Sequence, residues 1–63
     1  MDQVVSVEVD GQTFTGRYEV KLGCVTVRYM RPDGHFAQMA AQIGANPETT
    51  ARILLRELVL EHG

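Results

Sequence analysis

Alternating apolar and polar residues in the first third of the chain predict two paired β-strands, at residues 3–9 and 12–20. Between them lies Asp10-Gly11, and an Asp-Gly pair in this position is among the strongest signals for a two-residue hairpin loop. Such a loop pairs Val9 with Gln12 and fixes the register, because a slip by one residue would turn the apolar set towards solvent. One face then carries the apolar side chains of Val5, Val7, Val9, Phe14, Tyr18 and Val20.

A second short loop, at Leu22-Gly23, predicts a third strand at about residues 25–31. Placing Val20 opposite Val25 keeps the apolar side chains on the same face of the sheet. Gly16 falls in the middle of the second strand, where a glycine weakens the strand. We therefore expect either a ring or a helix side chain lying over Gly16, or a bulge at that position.

The segment that follows the third strand is compatible with two structures. Residues 31–35, Arg-Pro-Asp-Gly-His, are typical of a turn. A third hairpin closed there would pair Met30 with Phe36 and make residues 36–43 a fourth strand. Alanine and glutamine in that segment favour a helix instead, with Asp33 as its N-cap. Turn geometry and intrinsic propensity disagree, and we expect the strand.

A helix over about residues 47–61 is indicated by its first turn and by its apolar spacing. Asn46 suits the N-cap, Pro47 the first helical position, and Glu48 the positive end of the helix dipole. The predicted fold is one α+β domain over residues 1–63: a three- to four-stranded antiparallel meander with one C-terminal helix packed on its apolar face. The helix would contact the sheet through Ala51, Leu54, Leu55, Leu58 and Val59.

An alternative interpretation makes residues 36–58 a helix-turn-helix and the protein a DNA-binding regulator. Ala40, Ile43, Gly44 and Asn46 lie where that motif has alanine, an apolar residue, glycine and a small capping residue. The apolar positions of its second helix would then fall on polar residues in two of four cases, and the whole chain has only six Lys and Arg. The four positions of the second helix that should be apolar are Thr50, Ile53, Leu54 and Glu57. Nucleic acid is therefore not the expected partner.

The complete layout resembles a group of small uncharacterised proteobacterial proteins of about 60–70 residues. The resemblance lies in a hairpin of the type VDGQTFTGRYEV, the strand LGCVTVRY, the PDG turn, a segment ending in QIG, and the capped helix PETTARILLREL. It implies a meander followed by one helix, with no assigned function, and it transfers no functional residues to this chain.

Composition excludes several classes of protein. The formal charge of −2 gives no general attraction for polyanions, and the apolar runs are too short for a membrane span. A single cysteine, Cys24, cannot form an internal disulfide, and with no signal region this predicts a cytoplasmic protein. His35, His62 and Cys24 lack the spacing of a zinc site. We predict no enzyme activity, and no catalytic, cofactor-binding or metal-binding residues.

One side of the predicted helix suggests an interaction surface. Ile53 and Leu60 are seven residues apart and lie away from the apolar stripe, with Arg56 between them. A domain of 63 residues has a small core, and association with another chain is a common way to stabilise such a domain. We predict a small non-enzymatic protein-interaction module, either a homodimer or the binder of another protein, with Ile53, Leu60 and Arg56 at the contact.

The outer face of the predicted sheet is mixed in character. Arg17 and Arg28 would be directly opposed there, and a fourth strand would bring Val4, Met30 and Phe36 to the same face. The cations are too few to indicate RNA binding, and we interpret this face as an ordinary solvated surface.

Overall fold

The fold is a four-stranded antiparallel sheet followed by one helix. A computed structural model describes residues 3–44 and 46–62, the side chain of His62 excepted. The sheet order is the chain order, and the helix packs on one face, so the α+β prediction is confirmed. The strands are β1 (Gln3–Val9), β2 (Gln12–Lys21), β3 (Cys24–Met30) and β4 (Phe36–Gln42), and the helix is α1 (Pro47–His62).

Two tight turns set the register of the first three strands. Asp10 and Gly11 have φ angles of 53° and 77°, and Leu22 and Gly23 have φ angles of 52° and 78°. Positive φ at both central residues defines the type I′ turn, whose twist matches that of the paired strands. The predicted pairings follow, including Val9 with Gln12 and Val20 with Val25.

The third hairpin settles the ambiguous segment in favour of a strand. The Arg31 amide donates to the His35 carbonyl at 2.7 Å, the Gly34 amide donates to the Arg31 carbonyl at 2.9 Å, and Met30 pairs with Phe36. Asp33 does not cap a helix; its Oδ1 accepts the His35 amide at 2.9 Å. Pairing with β3 and burial of alternate residues outweigh the weak helix preference of alanine and glutamine.

Residues 36–58 therefore do not form a helix-turn-helix, because β4 occupies the place of the first helix. Of the residues that suggested that motif, Asn46 instead caps α1, and Gly44 bonds to the first turn of the helix. Asn46 Oδ1 accepts the Thr49 amide at 2.8 Å, and Thr50 Oγ1 accepts the Gly44 amide at 3.0 Å. These bonds satisfy a helix N–H that has no partner within the helix, and they tie the preceding loop to the first turn.

The core lies between α1 and the inner face of the sheet. Leu55 lies over Gly16, as expected for a glycine covered by a helix side chain. A Cβ atom at Gly16 would be 2.8 Å from the Arg28 carbonyl oxygen and 3.0 Å from Leu55 Cδ1. All five residues of the predicted helix stripe are buried. The buried apolar residues are Val5, Tyr18, Val25, Val27, Tyr29, Ala37, Ala51, Leu54, Leu55, Leu58 and Val59.

Val20 is an exception to the predicted core. It lies on the inner face opposite the buried Val25, yet 42% of its surface is exposed. Val20 is the second-last residue of β2, next to the Leu22-Gly23 turn, and its exposure shows that the helix does not fully cover that end of the strand. Alternation alone predicts the face of a residue but not how far the helix covers it.

Candidate interaction surfaces

Ionisable side chains in the described part of the chain do not gather into a metal site, since no group of three or more His, Cys, Asp or Glu lies close enough to hold an ion. The described residues also contain no helix long and apolar enough to cross a bilayer. Cys24 is exposed at the start of β3, opposite Lys21. The side chain of His62, named above as a potential zinc ligand, lies outside the described residues.

The turn at residues 31–35 holds a carboxyl group whose pKa is lowered by its neighbours. The pKa of Asp33 is lowered from its ordinary value of 3.8, first by the hydrogen bond from the His35 amide and then by the charge of Arg31. Arg31 Nη2 lies 3.1 Å from Asp33 Oδ2, and His35 Nδ1 lies 3.3 Å from Asp33 Oδ1. These contacts link the side chains of Arg31 and His35 to the carboxylate of the turn that leads into β4.

The helix side predicted as an interaction surface is exposed but discontinuous. Ile53 and Leu60 are both more than half exposed, and Arg56 lies between them. Ile53 and Arg56, together with Arg52, form one wall of a shallow depression of about 390 Å³. Its other wall is β1, and Leu60 is not part of it. The β1 residues are Ser6, Val7 and Glu8.

The outer face of the sheet holds a larger depression, which we call the outer-face groove. Met30 and Phe36 are a direct cross-strand pair, and both are more than half exposed, as is Val4 at the other edge. Arg17 and Arg28 are paired between them. The outer-face groove has a volume of about 530 Å³. The interpretation of this face as a solvated surface stays a prediction, since an open depression does not contradict it. The groove is lined by Val4, Thr15, Gly16, Arg17, Arg28, Met30 and Phe36.

The β4 strand forms one free edge of the sheet, a feature that the sequence analysis did not consider. The Ile43 amide donates to the Gly23 carbonyl at 3.0 Å, which fixes the direction of the backbone groups that precede it. In an antiparallel pair, alternate residues bond to the neighbouring strand and those between them point away. Four residues of β4 thus direct their N–H and C=O groups to the open edge: Phe36, Gln38, Ala40 and Gln42.

The two edges of the sheet differ in charge. The β4 sequence, FAQMAAQ, has no charged residue and no proline over seven residues. At the other edge, the same alternation turns Val4, Ser6 and Glu8 outward, and Glu8 is charged. Natural proteins commonly protect an edge strand with charges, proline or bulges, because unpaired backbone groups attract another strand. The β4 strand has neither a charged residue nor a proline to protect its edge.

Comparison of the chain with protein-family models, with curated proteins and with solved structures finds no match. The resemblance to small proteobacterial proteins therefore stays a prediction, and the surfaces described above provide the arguments about function.

Proposed function

We propose that this chain is a small non-enzymatic protein-interaction module that works as a homodimer. The observation that supports this most directly is that large apolar side chains stay exposed on both layers of the fold. Ile53 and Leu60 are open on the helix, and Met30 and Phe36 are open on the outer sheet face. Single exposed apolar residues are ordinary, but Met30 and Phe36 are adjacent and both line the outer-face groove.

The size of the domain gives the second argument for association. A chain of 63 residues buries a smaller fraction of its surface than a larger domain does, so its own core contributes only a few kcal/mol of net stability. Binding that favours the folded state adds to that stability. A second copy of the chain is always present at the concentration of the protein itself, which makes it the first partner to test.

A cytoplasmic location is part of the proposal. Cys24 is a free, exposed thiol, and the chain has no second cysteine with which to pair. Small domains in oxidising compartments usually depend on several disulfides. A lone thiol is the normal state in a reducing compartment.

Light scattering coupled to size-exclusion chromatography tests the proposal. We expect a mass about twice the 7.0 kDa of one chain. Thermal unfolding should also move to higher temperature as the protein concentration rises, because the dimer is favoured by mass action. A mass of one chain at all concentrations, with an unfolding temperature that does not change, would exclude the homodimer.

DNA binding is the alternative that the same protein sample can test. The strand at residues 36–42 argues against the helix-turn-helix, and we expect no binding to duplex DNA at low salt. Arg52 is engaged by Glu48, with Nη2 and Oε2 3.0 Å apart. Salt-sensitive binding that Arg52→Ala weakens would replace the proposed function with a DNA-binding one.

A further inference from the structure

The β4 edge is suited to a particular kind of contact, which is pairing with another strand. Its four outward-directed residues present N–H and C=O groups that no strand of the described chain pairs with. No charge in β4 opposes the approach of a second strand. Building on the proposed homodimer, we propose that two copies associate through β4, forming one continuous sheet with the two β4 strands antiparallel at its centre.

The spacing of the outward residues is self-complementary. A symmetric dimer requires that if residue i of one copy meets residue j, then j also meets i. This rule is satisfied by a register that places Phe36 opposite Gln42 and Gln38 opposite Ala40. The register pairs all four outward residues. Each pairing occurs twice by symmetry, so this register makes four pairs and about eight inter-chain hydrogen bonds, two for each pair. A shift by two residues in either direction leaves some of these groups unpaired.

The inner face of β4 supports the same arrangement. Met39, Ala41 and Ile43 pack against the core but are only partly buried, because α1 does not cover the edge completely. In the proposed register, Met39 of one copy lies opposite Met39 of the second copy on this face. Pairing would therefore remove apolar surface from water as well as satisfy the backbone.

The helix side is less suited to a symmetric contact between two copies. Ile53 and Leu60 are separated by Arg56 and accompanied by Glu57, so a contact there would bring charged groups into the interface. Desolvating such groups offsets the benefit of burying two apolar side chains. In the β4 dimer this side of α1 is not needed for the contact between copies.

Proline at the edge tests the proposal without disturbing the internal sheet. Ala40→Pro removes an outward N–H but no hydrogen bond to β3, and proline is tolerated on edge strands. By symmetry two inter-chain hydrogen bonds are lost. Each loss should raise the dissociation constant of the dimer roughly fivefold, so the two together should raise it by about 25-fold or more. Ser6→Pro is the matched control, because Ser6 directs its N–H outward from the opposite edge. We expect it to keep the dimer.

The outcomes of sedimentation equilibrium on both variants separate this inference from the proposed function. A wild-type monomer would remove both. A wild-type dimer that Ala40→Pro leaves intact, or that is lost equally with Ser6→Pro, would overturn the β4 contact while the homodimer stands. Loss of the dimer in Ile53→Glu with Leu60→Glu, but not in Ala40→Pro, would place the contact on the helix. If Ala40→Pro fails to fold by circular dichroism, Gln38→Lys with Ala40→Lys replaces it, controlled by Val4→Lys with Ser6→Lys.

Disulfide trapping tests the register. Hydrogen-bonded partners have Cα atoms about 5.5 Å apart, within the range that a disulfide can bridge. In a Cys24→Ser background, an equal mixture of Gln38→Cys and Ala40→Cys chains should form a covalent dimer on mild oxidation. Either chain alone should form much less. Equal yields from Gln38→Cys alone would overturn this register.

Discussion

Gly16 offers the sharpest test of how the sheet and the helix fit together. It lies buried in the middle of β2, and a Cβ atom there would be 2.8 Å from the Arg28 carbonyl oxygen and 3.0 Å from Leu55 Cδ1. The side chain of Leu55 can rotate away, but the carbonyl belongs to the neighbouring strand and cannot move alone. Gly16→Ala must therefore displace β3 relative to β2.

The net effect is the difference between two opposing quantities. Replacing a strand glycine by alanine should stabilise the fold by about 0.5–1 kcal/mol, because the unfolded chain loses freedom. Overpacking a core typically costs about 1–3 kcal/mol. Since the closest contact is with backbone, we expect the overpacking to prevail, with a net loss of about 1–2 kcal/mol. For a domain of this size that lowers Tm by at least about 4 °C.

Thermal and urea unfolding of Gly16→Ala at one protein concentration measure this loss, with Gly44→Ala as the matched control. A Cβ at Gly44 would meet only Thr50 Oγ1, at an ordinary 3.7 Å, so that variant should be neutral or slightly more stable. Leu55→Val should not rescue Gly16→Ala, because it leaves the carbonyl contact in place. Wild-type stability in Gly16→Ala would refute the reasoning, and full rescue by Leu55→Val would assign the clash to the side chain.

Three further predictions concern the cap, the turn and the helix. Asn46→Ala removes the N-cap bond and should lower the free energy of unfolding in urea by about 1 kcal/mol; no loss would mean that the bond is replaced by water. A carboxyl titration by NMR should give Asp33 a pKa below 3.8. The pKa of Asp33 is lower in the folded chain than in the unfolded chain. Its interactions therefore stabilise the fold at pH values above the unfolded-state pKa, and this stabilisation is lost as the pH falls through the folded-state pKa. Asp33→Asn should flatten that part of the pH profile. Leu58→Ala should cost about 2–5 kcal/mol, whereas Leu60→Ala on the exposed side should stay within about 0.5 kcal/mol; equal losses would place Leu60 in an interface.

The elements that the sequence predicted well are those determined by local chemistry. The Asp10-Gly11 turn leaves one register available, and a slip would expose the whole apolar face, so β1 and β2 follow from adjacent residues alone. The helix is predicted by local chemistry in the same way. Asn46 marks its start, and its apolar residues recur at the spacing of a single helical stripe.

The fourth strand was harder to predict because its own residues favour a different structure. Alanine and glutamine prefer helix, and only pairing with β3 and burial of Ala37 make the strand stable. The uncovered Val20 has a related cause, since the position of the helix over the sheet is a property of the assembled fold.

The candidate site was only partly predictable for a further reason. The sequence placed Ile53 and Leu60 on one side of α1, and Met30 and Phe36 on the outer face, because each prediction needs only periodicity. It did not single out the β4 edge, because whether residues 36–43 form a strand at all was the open question. The direction in which a backbone N–H group points also cannot be read from the type of the residue.

The order of the sheet has a consequence for how the chain folds. Every strand pairs with its neighbours in sequence through a loop of two to five residues, so each hairpin can form alone, on a timescale of about 1–10 μs. Within the sheet, therefore, each strand meets a neighbour that is close in sequence. The helix is different, since it reaches back to β1, the first strand. During synthesis, the inner face of the sheet therefore stays uncovered until the residues of α1 have left the ribosome.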